Sequence, residues 1–379
     1  MHILVIGGGI GGLAAAIALR QAGHTPVVYE RAPELREVGA GITLWTNATR
    51  VLQSLGVGEA ITAAGTPLRQ SEVRSWDGRL ISELDLGSLG NQFGAPTMGI
   101  HRADLQQILA QSLGAESLIL GAACVSVQHD AEGVTARFAD GREVRGDLLI
   151  GADGLKSVIR GQLLGVQRPR YAGYTAWRGV GLIDRPEVPL GITLLTAGRG
   201  SQFGYLPIGG GRTYWFATMN SPEGMYDPPG TVKTALGQRF ADWYAPIPAV
   251  IDATEESAIV RNDILDRPPV TKWGIGRVTL LGDAAHPTTP NLGQGACMAI
   301  EDAKVLARCL GTSHDPVAGL REYERQRFAR TAMVTNQSWR IGKMLGWESG
   351  FWCRLRDSAM RMSRRKIIRD TERMIGFEV

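Results

Sequence analysis

The stretch His2-Ile3-Leu4-Val5-Ile6-Gly7-Gly8-Gly9-Ile10-Gly11-Gly12-Leu13 decides the reading of this chain. His2 to Ile6 has the composition of a short buried strand, and five of the next six residues are glycine. The alanine-rich run Leu13–Ala22 then reads as a helix that stops at Gly23, and Pro26 to Glu30 supplies a second short strand. Strand, helix and strand within about 30 residues is the size of a dinucleotide-binding unit. In the Gly7-x-Gly9-x-x-Gly12 spacing, Gly7 permits a tight turn, Gly9 lets the backbone approach a pyrophosphate, and Gly12 lets the helix pack closely on the strand. The free N–H groups of the helix start lie at the positive end of its dipole, and Ile10 and Gly11 of the turn are candidate cofactor contacts with the three glycines. Glu30 closes the second strand, where a carboxylate can accept hydrogen bonds from ribose hydroxyls, and Arg31 follows it. The turn by itself does not separate NAD from FAD.

A second constellation lies far along the chain. An apolar strand over Val278–Leu281 runs into Gly282-Asp283-Ala284-Ala285-His286-Pro287 and then Pro290-Asn291-Leu292-Gly293-Gln294-Gly295-Ala296. A carboxylate at a strand's C-terminal end suits a polyol, so Asp283 would accept a ribityl hydroxyl. The helix opening at Gly293–Gly295 would turn its positive end toward the flavin edge on which negative charge gathers upon reduction. A third constellation, Gly151-Ala152-Asp153-Gly154 with Ser157 and Arg160, follows a strand read over Val144–Ile150. Helices are expected over 47–56 and over 102–113, the latter with Leu105, Ile108, Leu109 and Leu113 on one face.

These three motifs, in this order and at these separations, resemble the para-hydroxybenzoate hydroxylase-like flavin monooxygenases over nearly the whole chain. The string from Gly293 to Asp302 resembles the branch that contains urate hydroxylase, salicylate hydroxylase and zeaxanthin epoxidase. The resemblance implies an α/β fold: a Rossmann-like, glutathione reductase-like FAD-binding domain, an inserted mainly antiparallel substrate sheet, and C-terminal helices. It implies that Asp153 and Arg160 serve both FAD and a transient nicotinamide, and that Asp283 with Gly282 binds the ribityl chain. Gly39-Ala40-Gly41-Ile42 through Asn47 and Arg50 resembles the loop beside the flavin, Arg102 an arginine near the FAD phosphates, and Val125 a residue whose backbone meets the adenine. Thr46 and Cys297 depart from the family's usual proline and asparagine; the cysteine is expected to pack as a small apolar residue.

The expected domain pattern is discontinuous. FAD-binding parts span 1–70, 98–165 and 266–340, substrate-domain parts 71–97 and 166–265, and a helical segment 341–379. Within 170–220, alternation such as Thr213-Tyr214-Trp215-Phe216 between glycine turns reads as antiparallel sheet. The candidate substrate wall there is Trp177, Arg178, Gln202, Tyr205, Tyr214 and Phe216. Arg178, Tyr205, Tyr214 and Pro290 are the candidate catalytic groups, and Tyr174 is a further phenol that could meet a phenolate.

The resemblance implies a single-component monooxygenase. NAD(P)H would reduce FAD, reduced flavin would take up O2 as a C4a-hydroperoxide, and the terminal oxygen would pass to an electron-rich aromatic or heteroaromatic ring. Epoxidation of an isoprenoid or polyketide is the neighbouring reading. No second GxGxxG is present, so NADH or NADPH is expected to bind transiently. A flavin halogenase is disfavoured because the chain has no Trp-x-Trp. A plain NAD-dependent dehydrogenase would leave Asp283 and Gly293–Gly295 without a role. A flavin-binding module without turnover would not consume NAD(P)H in response to substrate.

Composition excludes several other classes. The net charge is +4, and residues 351–379 hold eight Lys/Arg against four Asp/Glu, so the whole surplus sits in that segment. No basic stripe interleaved with aromatics runs elsewhere, which argues against nucleic acid. The four cysteines form no CxxC pair and the six histidines are scattered, so neither a disulfide framework nor a metal site is expected. The glycines at 7–12 break the apolar N-terminal run, and no targeting or membrane-spanning segment is expected. These features suit a cytoplasmic enzyme, monomer or homodimer, acting on a small molecule and O2. The basic C-terminal helix reads as packed on the core with a solvated face, with contact to anionic lipid or a partner as the other reading.

Overall fold

The computed structural model describes residues 1–35, 40–183 and 188–378. At its centre is a five-stranded parallel sheet in the order Val278–Leu280, Leu148–Gly151, His2–Ile6, Thr25–Tyr29 and Leu118–Ile119. Its strands read as continuous apolar runs because helices cover a parallel sheet on both faces; Ile3, Leu4, Val5, Leu148, Leu149 and Ile150 are all fully buried. The first helix spans Ile10–Gln21, so it takes in Gly11 and Gly12 and begins earlier than its alanine run suggests. It packs closely on the helix Gly295–Thr312: a Cβ placed on Gly11 would stand 2.9 Å from the Ala299 Cβ.

The expected strand over Val144–Ile150 is two strands. Glu143–Gly146 pairs antiparallel with Val134–Phe138 in a three-stranded sheet, and Leu148–Gly151 enters the parallel sheet. The break falls at Asp147, whose Oδ2 accepts the His2 N–H at 2.7 Å. An apolar run cannot show such a change of sheet.

A seven-stranded sheet follows the order Val260–Asp266, Arg170–Leu182, Arg212–Asn220, Ser201–Pro207, Ile192–Ala197, Gln70–Ser75 and Leu80–Asp85. Neighbours are antiparallel except Ile192–Ala197 beside Gln70–Ser75. A small sheet of Gly41–Leu44, Thr97–His101 and Thr66–Leu68 stands against the strands of the seven-stranded sheet: a Cβ on Gly99 would overlap the Pro207 carbonyl oxygen. Four helices complete the described chain: Gly295–Thr312, Pro316–Leu345, Gly350–Met362 and Arg364–Ile375. The last of these buries Met374 and Ile375 beside Leu206, Ile208 and Tyr214.

Candidate functional site

The ends of the central strands carry the first two motifs. Gly7 adopts φ +112°, and a Cβ there or on Gly12 would overlap the Ala152 or Gly7 carbonyl oxygen, so the fold itself demands both glycines. Gly9 is different. Its backbone (φ −72°, ψ 176°) is open to any residue, and a Cβ there would meet nothing within 4 Å. The space in front of Gly9 is therefore a cradle that a side chain would fill, which fits a pyrophosphate brought against the helix start. Glu30 accepts from Gly8 N at 2.7 Å through one oxygen and from Ala32 N at 2.9 Å through the other, keeping lone pairs free for hydroxyl donors. Arg31 is exposed beside it, and Val125 is half-exposed at the start of the strand Cys124–His129.

Asp153 is engaged locally. It accepts from Ser157 Oγ at 2.5 Å and from Val158 N at 2.7 Å at the start of the helix Val158–Leu164. Burial nevertheless raises its carboxyl. Arg160 turns inward and donates to the carbonyls of Ala284 and Ala285 at 2.9 and 2.8 Å. Burial, with Arg267 nearby, pulls it down to about 10. Arg160 thus clamps the loop that carries Asp283. Asp283 is exposed at the cleft surface but crowded by protein; that loss of bulk water raises its carboxyl against the pull of His286 and Arg102. Arg102 N donates to Ala40 O at 2.9 Å, joining the helix Arg102–Leu113 to the strand at Gly41 and Ile42. Gly39 lies outside the described residues.

Beneath the turn Pro290–Gly295 lies a buried ionic network. Arg327 donates to Asp302 Oδ1 and to Glu301 Oε2, both at 2.6 Å, and Arg330 donates to Glu301 Oε1 at 3.0 Å. His286 Nε2 meets Asp302 Oδ2 at 2.6 Å, which makes His286 a structural partner. Asn47 Nδ2 reaches Glu301 Oε1 at 2.5 Å and Gln294 Oε1 at 3.1 Å. Trp45 Nε1, which would stand 3.0 Å from a Cβ on Gly293, and Nε2 of the following residue, Gln294, are buried donors without a protein acceptor among the described residues. Donors without acceptors, a helix start at Gly295 and the flanking residues Pro290 and Ala296 fit the polar edge of a flavin. Cys297 is fully buried, and burial pushes its thiol up to about 12, so it packs and does not react.

The seven-stranded sheet divides the substrate candidates. In the register Arg178↔Phe216, Val180↔Tyr214 and Gln202↔Thr218, the side chains of Arg178, Gln202, Tyr214 and Phe216 share one face. Tyr214 and Phe216 pack there with Trp45, Ala40 and Leu292, and a Cβ on Gly41 would overlap the Tyr214 ring. The Arg178 cation lies near enough to Tyr214 to favour its phenolate against burial, and it donates to Asn262 Oδ1 at 3.2 Å. Trp177 and Tyr205 stand on the opposite face, in a core with Phe203, Trp215 and Phe240 beneath the helices Val232–Arg239 and Pro246–Asp252. They are withdrawn from the candidate wall, since a strand sends successive side chains to opposite faces. Tyr174 is spent on Asn291 Oδ1 at 2.8 Å and is buried.

The residues that sequence reading missed are Trp45, Gln106, Arg327 and Arg330. Gln106 Nε2 donates to the Gly8 carbonyl at 2.7 Å and steadies the glycine turn. A signal for the arginines exists: Tyr323, Arg327, Arg330, Val334 and Ser338 fall on the buried stripe of the helix Pro316–Leu345, and charge on such a stripe requires buried partners.

Known proteins are similar to this chain in sequence and overall structure. A family model described as an FAD binding domain matches residues 1–338. The chain is 47% identical over 363 residues to the aurachin C monooxygenase/isomerase of Stigmatella aurantiaca, covering 96% of this chain and 94% of that one. It is 38% identical over 332 residues to the FAD-dependent urate hydroxylase of Klebsiella pneumoniae, covering 87% and 86%. The structure of Klebsiella pneumoniae HpxO complexed with FAD and uric acid superposes with a TM-score of 0.93 at 34% identity, covering 99% of this chain and 96% of that chain.

Proposed function

Because the chain belongs to the FAD binding domain family of flavin-dependent monooxygenases, we propose that it hydroxylates an electron-rich aromatic or heteroaromatic small molecule at the expense of NAD(P)H and O2. The observation that carries this reading is the placement of Tyr214. It stands between the Gly41 strand and Arg178, with Phe216 beside it and Leu292 of the Pro290–Gly295 turn in the same cluster.

FAD, when bound, supplies the chemistry of accepting hydride from a nicotinamide and passing oxygen from O2 to the substrate. The residues of the chain do the rest. Gly9 admits the pyrophosphate, Glu30 and Asp283 accept from sugar and ribityl hydroxyls, and the start of the helix at Gly295 holds positive potential at the ring's polar edge. Arg178 and Tyr214 orient an acidic or carbonyl oxygen of the substrate, Phe216 packs on its ring, and Gln202 offers an amide on the same face. Burial raises the Tyr214 phenol, so it meets substrate as a hydrogen-bond donor. Pro290 closes the wall on the loop side. Arg160 shapes the site through the Ala284 and Ala285 carbonyls it clamps, and Asp153 through the start of the helix that carries Arg160.

The test is NAD(P)H oxidation by FAD-loaded protein against phenols, aromatic acids, purines and isoprenoids. Stimulation by one class, with labelled oxygen from O2 in the product, supports the reading; no stimulation by any member counts against it. A relative's name joins "monooxygenase" to "isomerase", so the product is to be identified by structure and not by mass alone. An epoxide or its rearrangement product would move the assignment to the neighbouring epoxidase reading.

A further inference from the structure

The helix Gly350–Met362 carries an apolar stripe on the wrong side. Its inner face is fixed: Cys353 is buried, and Arg356 bonds Asp357 and the Gly198 carbonyl at 2.9 and 3.2 Å. Arg79 on the neighbouring hairpin meets Asp357 at 3.8 Å. With that face docked, Phe351, Trp352, Leu355 and Met362 point outward, with 69, 50, 48 and 88% of their surface exposed. Trp352, Leu355, Ala359 and Met362 recur at the three- and four-residue spacing of one helical face. A contiguous apolar stripe of this kind marks a contact surface and not ordinary surface scatter.

Charge decides what covers it. Arg354 and Arg361, both exposed, run one position behind Leu355 and Met362, so a basic stripe borders the apolar one at about 100° around the helix. Arg365, Lys366 and Arg369 on the next helix are exposed as well. Asp357 is the one acid between Gly350 and Ser363, and it is buried. A second copy of the chain meeting this face about a two-fold axis would set these arginines against their own copies. No described helix is long and apolar enough to cross a membrane.

We propose that the outer face of the helix Gly350–Met362 docks the protein on anionic lipid membrane. Phe351, Trp352, Leu355 and Met362 enter the boundary between headgroups and acyl chains, and the bordering arginines stay at the phosphates.

The experiment is co-sedimentation of full-length, FAD-loaded protein with vesicles of phosphatidylcholine alone and of phosphatidylcholine mixed with phosphatidylglycerol, at low and high salt. Binding to the mixed vesicles that salt weakens is the expected result. Trp352→Glu with Leu355→Glu should lower the bound fraction about tenfold, and Arg354→Glu with Arg361→Glu should remove the preference for anionic lipid. Both pairs lie outside the flavin cleft, so flavin content and circular dichroism should match the parent and exclude misfolding. No binding to mixed vesicles at low salt would overturn the proposal. So would binding indifferent to both pairs, or a dimer in solution that Trp352→Glu converts to monomer, which would assign the face to a second copy.

Discussion

Asn47 and Gln294 stand 247 residues apart in the chain and meet in its interior, with Asn47 Nδ2 donating to Gln294 Oε1 at 3.1 Å. Asn47 belongs to the helix Thr46–Ser54, which follows directly from the Gly41 strand; Gln294 is the residue from which the helix Gly295–Thr312 starts. The same Nδ2 reaches Glu301, so one amide ties both walls of the flavin cleft to the buried ionic network.

Replacing Asn47 by Ala should therefore act on two measurements at once. Leaving buried Gln294 and Glu301 short of a donor costs about 1–3 kcal/mol, read from urea unfolding of the flavin-free protein. FAD affinity should fall as well, because the turn before Gly295 loses its brace. A variant as stable as the parent with unchanged flavin affinity would contradict this role for Asn47.

Gly9 and Gly12 should separate cleanly. Gly12→Ala places a methyl into the Gly7 carbonyl and should cost about 3 kcal/mol or more. Gly9→Val meets open space in a backbone conformation valine accepts, so its flavin-free thermal midpoint should stay near that of the parent while FAD binding is lost. Normal FAD retention by folded Gly9→Val would remove Gly9 from the pyrophosphate site.

Asp302 gives a pH dependence. Burial alone would raise its carboxyl, but His286 and Arg327 pressed against it hold it down at about 2, below its ordinary 3.8. A carboxyl lowered on folding stabilises the fold at pH above its unfolded value, and that contribution is lost as pH falls from about 4 to about 2. Asp302→Asn leaves Arg327 buried with one partner fewer and should cost about 3–5 kcal/mol near neutrality. The gap to the parent should narrow by about 1 kcal/mol between about pH 6 and pH 3. A constant gap across that range would show that the carboxylate charge is not what matters.

The nucleotide end of this site is written in the sequence because its chemistry is backbone chemistry. Gly7 and Gly12 are required by close backbone approaches that leave few substitutes, Gly9 leaves the room a pyrophosphate needs, and Asp283 sits at a strand end that any parallel sheet turns toward its crevice. The substrate end was half legible. The alternation in Ser201–Pro207 and Arg212–Asn220 announces strands, but both faces of this sheet are covered, so both parities are apolar: Phe203, Tyr205 and Trp215 on one side, Leu206, Tyr214 and Phe216 on the other. Period alone cannot choose between them. The choice comes from the register of Arg178 opposite Phe216, which only the paired strands reveal.

That division yields the sharpest test of the proposed substrate wall, since two tyrosines nine residues apart exchange roles. Tyr214→Phe removes a hydroxyl close to Arg178 on the cleft face, and Arg178→Ala removes that cation. Each should raise the KM for the stimulating substrate about tenfold or more and divert part of the NAD(P)H consumed to hydrogen peroxide, because a loosely held ring no longer excludes water. Tyr205→Phe lies beneath the helices on the other face, and it should leave KM and coupling unchanged while shifting stability by about 1 kcal/mol at most. The comparison needs only initial rates and peroxide yields for three variants. If Tyr205→Phe uncouples the reaction and Tyr214→Phe does not, the substrate lies on the other face of the sheet, and the wall drawn from Arg178, Tyr214 and Phe216 is wrong.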